Sequence, residues 1–583
     1  MSTPESLKSG SKAAMRTPVG NVLHECRRGF WFGAVLCIVI EIISLAPIIY
    51  MWTAYDRVLP SRSVVTLVSL TALVLGIYIF WSAMDWLRGR LMVRLSLRVD
   101  WELAADVFDA SFRRHVGRQK VNVQQVMADL LELRQFLGGR GVLALMAAPF
   151  ALFFIIIATL FHPYLALFAL ASAALMYVAG EITRRMTTTA LKAANNAHTE
   201  AMQLAASVMR QSESTLALGM MPAMRRRWYQ RHRNFLVLQV NSSEAAGVGS
   251  SITSFLQHSS STLGMALGLF LAIDGIITGG MIMAASMLIA RSVAPLQQLI
   301  GQWPTIVRAR QAYDRLNTLL IEDGKRSEQM SLPAPTGRLN VSSMMAVPPG
   351  ATKPVLMDVN FSLPQGGALA IVGPSASGKS SLAKLLVGVW KPAQGSVRLD
   401  GVEVSDWDHD ELGPHIGYVP QDIEFYEATV AENIARLGEV DPAKVVTAAK
   451  LVDMHDTILS WPNGYDTMLG EATSFAPSGG QRQRLAIARA LYGDPAFVVL
   501  DEPNANLDEI GEQALIQALC YLRERGATVV VTTHRPRLIG IVDHMLVLKG
   551  GRQVGFGSPK DLFDAVKRNL PAAESTPMIG ATA

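Results

Sequence analysis

The chain has 583 residues, of which half are hydrophobic and 17% charged, with a net charge of +5. That length fits about two to three domains, and the apolar share is too high for an ordinary soluble enzyme. The basic residues flank apolar runs rather than interleaving with aromatics, which argues against nucleic acid as a partner. The three cysteines, Cys26, Cys37 and Cys520, lack zinc-ligand spacing and cannot all pair within one chain, so neither a disulfide framework nor thiol chemistry is expected.

Residues 1–29 form a short polar N-terminal segment, and no small-residue cleavage site follows the first apolar run, so no cleaved secretory signal is expected. A helix needs roughly 20 apolar residues to span a membrane. Six candidate segments appear: 30–52, 64–84, 142–161, 165–179, 252–273 and 276–290. Trp31 and Trp52 stand near the interfaces of the first. Within successive pairs the connections are short. Between pairs they run over about 85–141 and 181–246, and these long segments are rich in arginine, including Arg88, Arg114, Arg184 and Arg227, while the short loops hold little positive charge beyond Arg57 and Arg62. The excess of positive charge places both long segments and both termini in the cytoplasm. Helical spacing of apolar residues over 103–112 and 123–136 makes the long segments helical extensions of the spans rather than loops. The transmembrane domain thus covers 30–322, followed by a polar linker over 323–337.

From residue 338 to 571 short β-rich runs alternate with helices, the pattern of an α/β domain, and 572–583 is a polar tail. The strand ending at Val372 runs into Gly373, Pro374, Ser375, Ala376, Ser377, Gly378, Lys379, Ser380 and Ser381, and then into an apolar helix. This is a P-loop in its strand–loop–helix setting: backbone N–H groups wrap phosphates, Lys379 reaches the β- and γ-phosphates, and Ser380 ligates Mg²⁺. The apolar run 497–500 ends in Asp501 and Glu502. Asp501 suits Mg²⁺, and Glu502 suits a general base that polarises the attacking water.

Ser478, Gly479, Gly480 and Gln481 decide among P-loop families: with them the chain resembles the ABC ATPases. The resemblance implies that this signature touches the γ-phosphate of an ATP held by a second subunit. It further implies that Gln421 senses Mg²⁺ and the membrane domain, that Gly470 and Glu471 form the segment before the signature, that Asp508 links the two sites, and that His534 contacts the γ-phosphate. Two departures stand out. Pro477 replaces the usual leucine before the signature, and no aromatic occupies 346–350, where the family stacks one on adenine.

Tyr55-Asp56-Arg57-Val58-Leu59-Pro60-Ser61 resembles the first outer loop of type I secretion ATPases, as does the segment from Asp501 through Asn504 to Asp508. The resemblance covers roughly 30–565. It implies a type I ABC exporter-like fold: a membrane α-helical domain of six spans fused to an α/β nucleotide-binding domain. It also implies ATP and Mg²⁺ as cofactors, an inner-membrane homodimer, a membrane fusion protein (the periplasmic adaptor), an outer-membrane channel, and an unfolded secreted protein as cargo. With only about 29 residues before the first span, the N-terminal peptidase domain that some relatives carry is not expected here. Glu41, mid-span, is costly in hydrocarbon and is a candidate for the translocation pathway; His258 is a weaker one. An exporter of lipid or small hydrophobic molecules with the same architecture is the competing reading. A regulatory protein with a degenerate site is disfavoured by Glu502 and His534.

Overall fold

The structure is a computed structural model, and it describes residues 17–117, 123–324, 331–470, 475–562 and 564. Part of the N-terminal segment, Glu471, part of the linker and the polar tail lie outside the described residues. The chain divides into two compact units, a helical one built from most of the chain up to Lys325 and an α/β one built mostly from Arg326 onward.

In the helical unit the first span is two helices, Arg27–Ile43 and Ala46–Thr53. Pro47 lies in the first turn of the second helix, where its missing N–H costs nothing but its ring prevents an unbroken helix from continuing through. A π-helical turn, Ala54–Val58, follows. The helices Val64–Gly117, Pro163–Arg210 and Met221–Ile273 have 54, 48 and 53 residues. At 1.5 Å per residue each is roughly 70–80 Å long, more than twice the roughly 30 Å hydrocarbon core. A helix of that length must project from a membrane it crosses.

Among the described residues, five helical stretches are long and apolar enough to cross a membrane: Arg27–Ser61, Val64–Val116, Arg140–Phe161, Pro163–Arg210 and Gly279–Gly301. The span expected over 252–273 lies in Met221–Ile273, which has the length but is not among those five. The reason is its run of polar residues, among them Ser250, Thr253, Gln257, Ser260 and Thr262. Thr253 and Ser260 are buried inside the unit, and Gly249, Gly264 and Gly268 let the helix approach Thr183, Ile289 and Ile282 closely. The last span begins at Gly279 rather than 276, because Gly275 turns the chain at φ +72° and Thr278 caps the helix. Large apolar side chains such as Leu160 and Ile273 remain exposed along these helices, as lipid-facing positions require.

Below the spans, Val123–Gly138 packs on Trp303–Asp323 through a fork: Arg315 Nε and Nη2 donate to Asp129 Oδ2 and Oδ1 at 2.7 and 2.6 Å. Asp129 is buried, so the bidentate geometry is what makes its charge tolerable there. Glu41 is half-buried and lies within electrostatic reach of Arg291 and Arg88; His258 is exposed.

Among its described residues the α/β unit has twelve strands: β1 Leu339–Ala346, β2 Leu356–Leu363, β3 Ala368–Val372, β4 Gln394–Leu399, β5 Val402–Glu403, β6 Ile416–Val419, β7 Ala428–Thr429, β8 Met468–Leu469, β9 Phe497–Asp501, β10 Thr528–Thr532, β11 His544–Lys549 and β12 Arg552–Gly557. Ten of them form one sheet in the order β5-β4-β1-β2-β12-β11-β3-β10-β9-β6, and β7 pairs with β8 apart from it. The run β11-β3-β10-β9-β6 is parallel. Its central strands are near-continuous apolar runs, buried on both faces by helices, as parallel strands require. Their C-terminal ends therefore open on one edge, where such sheets place ligands.

Candidate nucleotide site

The loop after β3 is shaped by two demands on the backbone. At Gly373 a Cβ would strike the Leu548 carbonyl. At Gly378, φ +99°, a Cβ would lie 2.6 Å from Leu356 Cδ2, and Gly378 is also the residue that opens the helix Lys379–Leu386. Ala376 takes φ +63° between them. Pro374, Ser375 and Ala376 are exposed, while Ser377 and Lys379 are buried and Ser380 and Ser381 half-buried. Lys379 Nζ donates to the carbonyls of Gly373 and Pro374 at 2.9 and 3.3 Å and lies 3.9 Å from Glu502 Oε1. A helix N-terminus, a nest of N–H groups and an ammonium thus converge on one spot, the arrangement that binds phosphate.

Asp501 and Glu502 close the next strand but one. Asp501 is 1% exposed. Its Oδ1 accepts from the Thr532 hydroxyl at 2.7 Å, and the same hydroxyl oxygen accepts from Glu502 N–H at 2.8 Å. Thr532 is the residue that sequence reasoning missed. It faces Asp501 because β9 and β10 pair in parallel register; only its place at the end of an apolar strand hinted at it. Glu502 takes φ +50°, a left-handed conformation rare outside glycine, and its side chain is half-exposed. Asp501 Oδ2 and Ser377 Oγ are buried without a hydrogen-bond partner among the described residues. Oxygen ligands poised beside a phosphate loop fit Mg²⁺, which takes one or two protein oxygens and completes its shell with phosphate and water. No group of three or more His, Cys, Asp or Glu is placed to hold a metal ion among the described residues, and such a shared site needs none. Tyr418 on β6 is pushed up to about 12 by burial and by the Asp501 charge, so it stays a neutral phenol beside that carboxylate.

Ser478 caps the helix Gly479–Leu491 in a closed box: its Oγ accepts from Gln481 N–H at 3.3 Å, and Gln481 Oε1 accepts from Ser478 N–H at 2.9 Å. Gln481 is thereby engaged within its own turn. Ser478 keeps its hydroxyl proton to donate elsewhere, and Ser478 and Gly479 are exposed. Asp508 caps Glu509–Glu524 by accepting from Gly511 N–H at 2.8 Å. His534 and Gln421 are exposed, one just past β10 and the other just past β6. Thr533 Oγ1 donates to Asn504 Oδ1 at 3.2 Å, tying the His534 turn to the segment after Glu502.

The signature helix also holds the segment after Gln421. Arg482 Nη2 donates to the Ile423 carbonyl at 2.6 Å and Arg489 Nη1 to that of Glu424 at 3.1 Å, with the Arg489 guanidinium 5.3 Å from the Phe425 ring. Arg436 adds four bonds to the carbonyls of Gly413, Ile416, Arg489 and Ala490, at 2.7–3.0 Å. Burial, with the nearby Arg489 charge, pulls its guanidinium down to about 10.

Two family profiles match the chain: the ABC transporter transmembrane region over residues 30–296 and the ABC transporter domain over 356–505. The type I secretion system ATP-binding protein PrsD of Rhizobium meliloti (strain 1021) is 38% identical over 548 residues, covering 94% of each chain. The chain belongs to the type I secretion ATP-binding proteins. This secretion ATPase is also 27% identical over 544 residues to the toxin RTX-I translocation ATP-binding protein of Actinobacillus pleuropneumoniae, covering 91% of this chain and 75% of that one. The leukotoxin translocation ATP-binding protein LktB of Mannheimia haemolytica is likewise 27% identical over 552 residues, at 92% and 76% coverage. Among solved structures, a bacterial Atm1-family ABC exporter with ATP bound superposes with a TM-score of 0.80 at 22% identity, over 94% of this chain and 98% of that one, which shows the exporter fold. The secretion ATPase is a multi-pass membrane protein whose helical region is fused to an ATP-binding domain, and its enzymatic activity is ATP hydrolysis coupled to transport.

Proposed function

We propose that this chain is the inner-membrane motor of a type I secretion system, in which two copies hydrolyse ATP to move an unfolded protein out of the cytoplasm. The observation that carries the reading is the 38% identity to a type I secretion ATP-binding protein along 94% of both chains. The transmembrane domain is assigned to 30–322, the linker to 323–337 and the ATP-binding domain to 338–571, with the ATP-binding domain and both termini in the cytoplasm. The arginine-rich 85–141 and 181–246 segments support that orientation. A periplasmic adaptor and an outer-membrane channel are the assigned partners, in keeping with the toxin-translocating relatives.

In the mechanism that the geometry supports, N–H groups of 373–381 hold the phosphates and Lys379 neutralises the γ-phosphate. Ser380 and Asp501, with Gln421, would hold Mg²⁺, which would supply charge neutralisation at the phosphates. Glu502 takes a proton from water as its oxygen bonds to the γ-phosphorus and the bond to the β–γ bridging oxygen breaks. Thr532 holds Asp501 and the Glu502 backbone in place. His534 contacts the γ-phosphate in the same copy, while Ser478, Gly479 and Gly480 of the second copy donate to it from outside. Asp508 lies between the two sites. Unfolded cargo lets the membrane domain avoid opening a hole as wide as a folded domain.

The test is to express the chain with an adaptor, an outer channel and a candidate cargo, and to weigh the secreted product. An intact mass is expected, with secretion lost when the last few tens of cargo residues are deleted. Secretion that survives this truncation but needs an N-terminal leader cut off by the exporter would overturn the reading, as would lipid-only transport.

A further inference from the structure

The motif at 55–61 is not used by the nucleotide chemistry, yet the structure gives its aspartate three partners. Asp56 Oδ2 accepts from Trp52 Nε1 at 2.8 Å and from the Thr278 hydroxyl, and Oδ1 accepts from Gly280 N–H at 2.7 Å. Asp56 sits on the π-helical turn Ala54–Val58, which rotates the carboxylate out of α-helical phase. Thr278 and Gly280 begin the last membrane helix, Gly279–Gly301. A Cβ at Gly280 would lie 2.5 Å from the Trp52 carbonyl and 2.7 Å from Asp56 Oδ1, so the approach needs glycine. Trp52 in turn rests on Phe161, ring centroids 5.4 Å apart, at the turn between two further spans.

One carboxylate therefore fastens the end of the first span to the start of the last, with a third turn packed alongside. It does so at the N-terminus of a 23-residue helix, where negative charge is favoured. These turns lie at the ends of the spans opposite the long arginine-rich extensions. Cargo leaving between the helices must part the turns at that end.

We propose that the Asp56 clasp is the outer latch of the exporter, closed without nucleotide and released when ATP binds. The latch rests on the exporter reading but not on the identity of the cargo. Its release exchanges three hydrogen bonds for bonds to water at the membrane surface, a change small enough for nucleotide binding to drive.

The test is a cysteine pair, Asp56→Cys with Thr278→Cys, in full-length protein carrying Cys26→Ser, Cys37→Ser and Cys520→Ser. Oxidative cross-linking within one chain is measured in membranes, without nucleotide and with Mg²⁺ and a non-hydrolysable ATP analogue. High yield without nucleotide and a yield at least fivefold lower with the analogue are expected. Equal yields in both states, or no cross-link in either, would overturn the latch. With a secreted cargo in hand, the oxidised pair exports at least tenfold less than the reduced pair, and reductant restores export. Export by the reduced but not the oxidised pair separates a latch from a failed secretion reading, in which neither form exports. Undiminished export through the cross-linked pair would also overturn the latch.

Discussion

Thr532 stands in register with Asp501 across β9 and β10, and its single hydroxyl serves both acids of the site, donating to Asp501 Oδ1 and accepting from Glu502 N–H. Replacing it by valine keeps the shape and removes both bonds. Thr532→Val is expected to lower ATP turnover by about 10- to 100-fold, the range for a mispositioned catalytic group, with little change in ATP affinity. Thr532→Ser should recover most of the rate. Steady-state kinetics separate kcat from KM, and a rise in KM alone would place Thr532 outside the positioning role.

Nucleotide choice follows from what 346–350 lacks. With no aromatic there to stack on a base, phosphate and Mg²⁺ contacts carry the affinity, and GTP should bind within about tenfold of ATP. A preference of about 10²-fold, nearly 3 kcal/mol, would show that another side chain reads the base. Competition binding to the purified chain decides it.

Arg436 makes its bonds at the root of the Gln421 segment and at the end of the signature helix. Arg436→Met leaves four carbonyls without their donor and is expected to destabilise the ATP-binding domain by at least about 2 kcal/mol. Arg436→Lys should recover only part of this, since an ammonium cannot reproduce the planar fork. Thermal unfolding in detergent reads the loss.

Asp400 anchors the chain as it enters β1. It accepts from Thr336 N–H at 2.5 Å, Thr336 Oγ1 at 2.6 Å, Gly337 N–H at 3.2 Å and Arg338 N–H at 3.0 Å. Partial burial would raise its carboxyl, but these bonds outweigh burial and hold it below the usual range. A lowered folded value means that its stabilisation is complete above the unfolded value of about 4 and is lost as the pH falls through the folded one. Asp400→Asn should therefore lower the unfolding midpoint by a constant amount from pH 7 to 5, and the gap to wild type should close below about pH 4. A gap that widens on acidification would contradict the assignment.

The P-loop, the acidic pair and the signature were legible because each is a contiguous run whose spacing alone fixes its geometry. Thr532 was not, since its role arises only when two distant strands pair. Arg436, Arg482 and Arg489 were hidden for the same reason: their partners are backbone carbonyls, which leave no trace in composition. Asp56 was visible as part of a motif, but not its bonds to Thr278 and Gly280, more than 220 residues away. Apolar runs located five of the membrane helices. The helix Met221–Ile273 reads less clearly because buried serines, threonines and glycines do the packing that leucine does elsewhere.

The central claim is that Glu502 turns the assembled nucleotide site into a hydrolase that powers export. The most direct measurement is phosphate release by purified Glu502→Gln beside wild type, with ATP binding measured on the same samples. Binding should be retained, turnover should fall by about 10² or more, and a closed ATP-bound dimer should accumulate. Wild-type turnover in the variant would contradict the account.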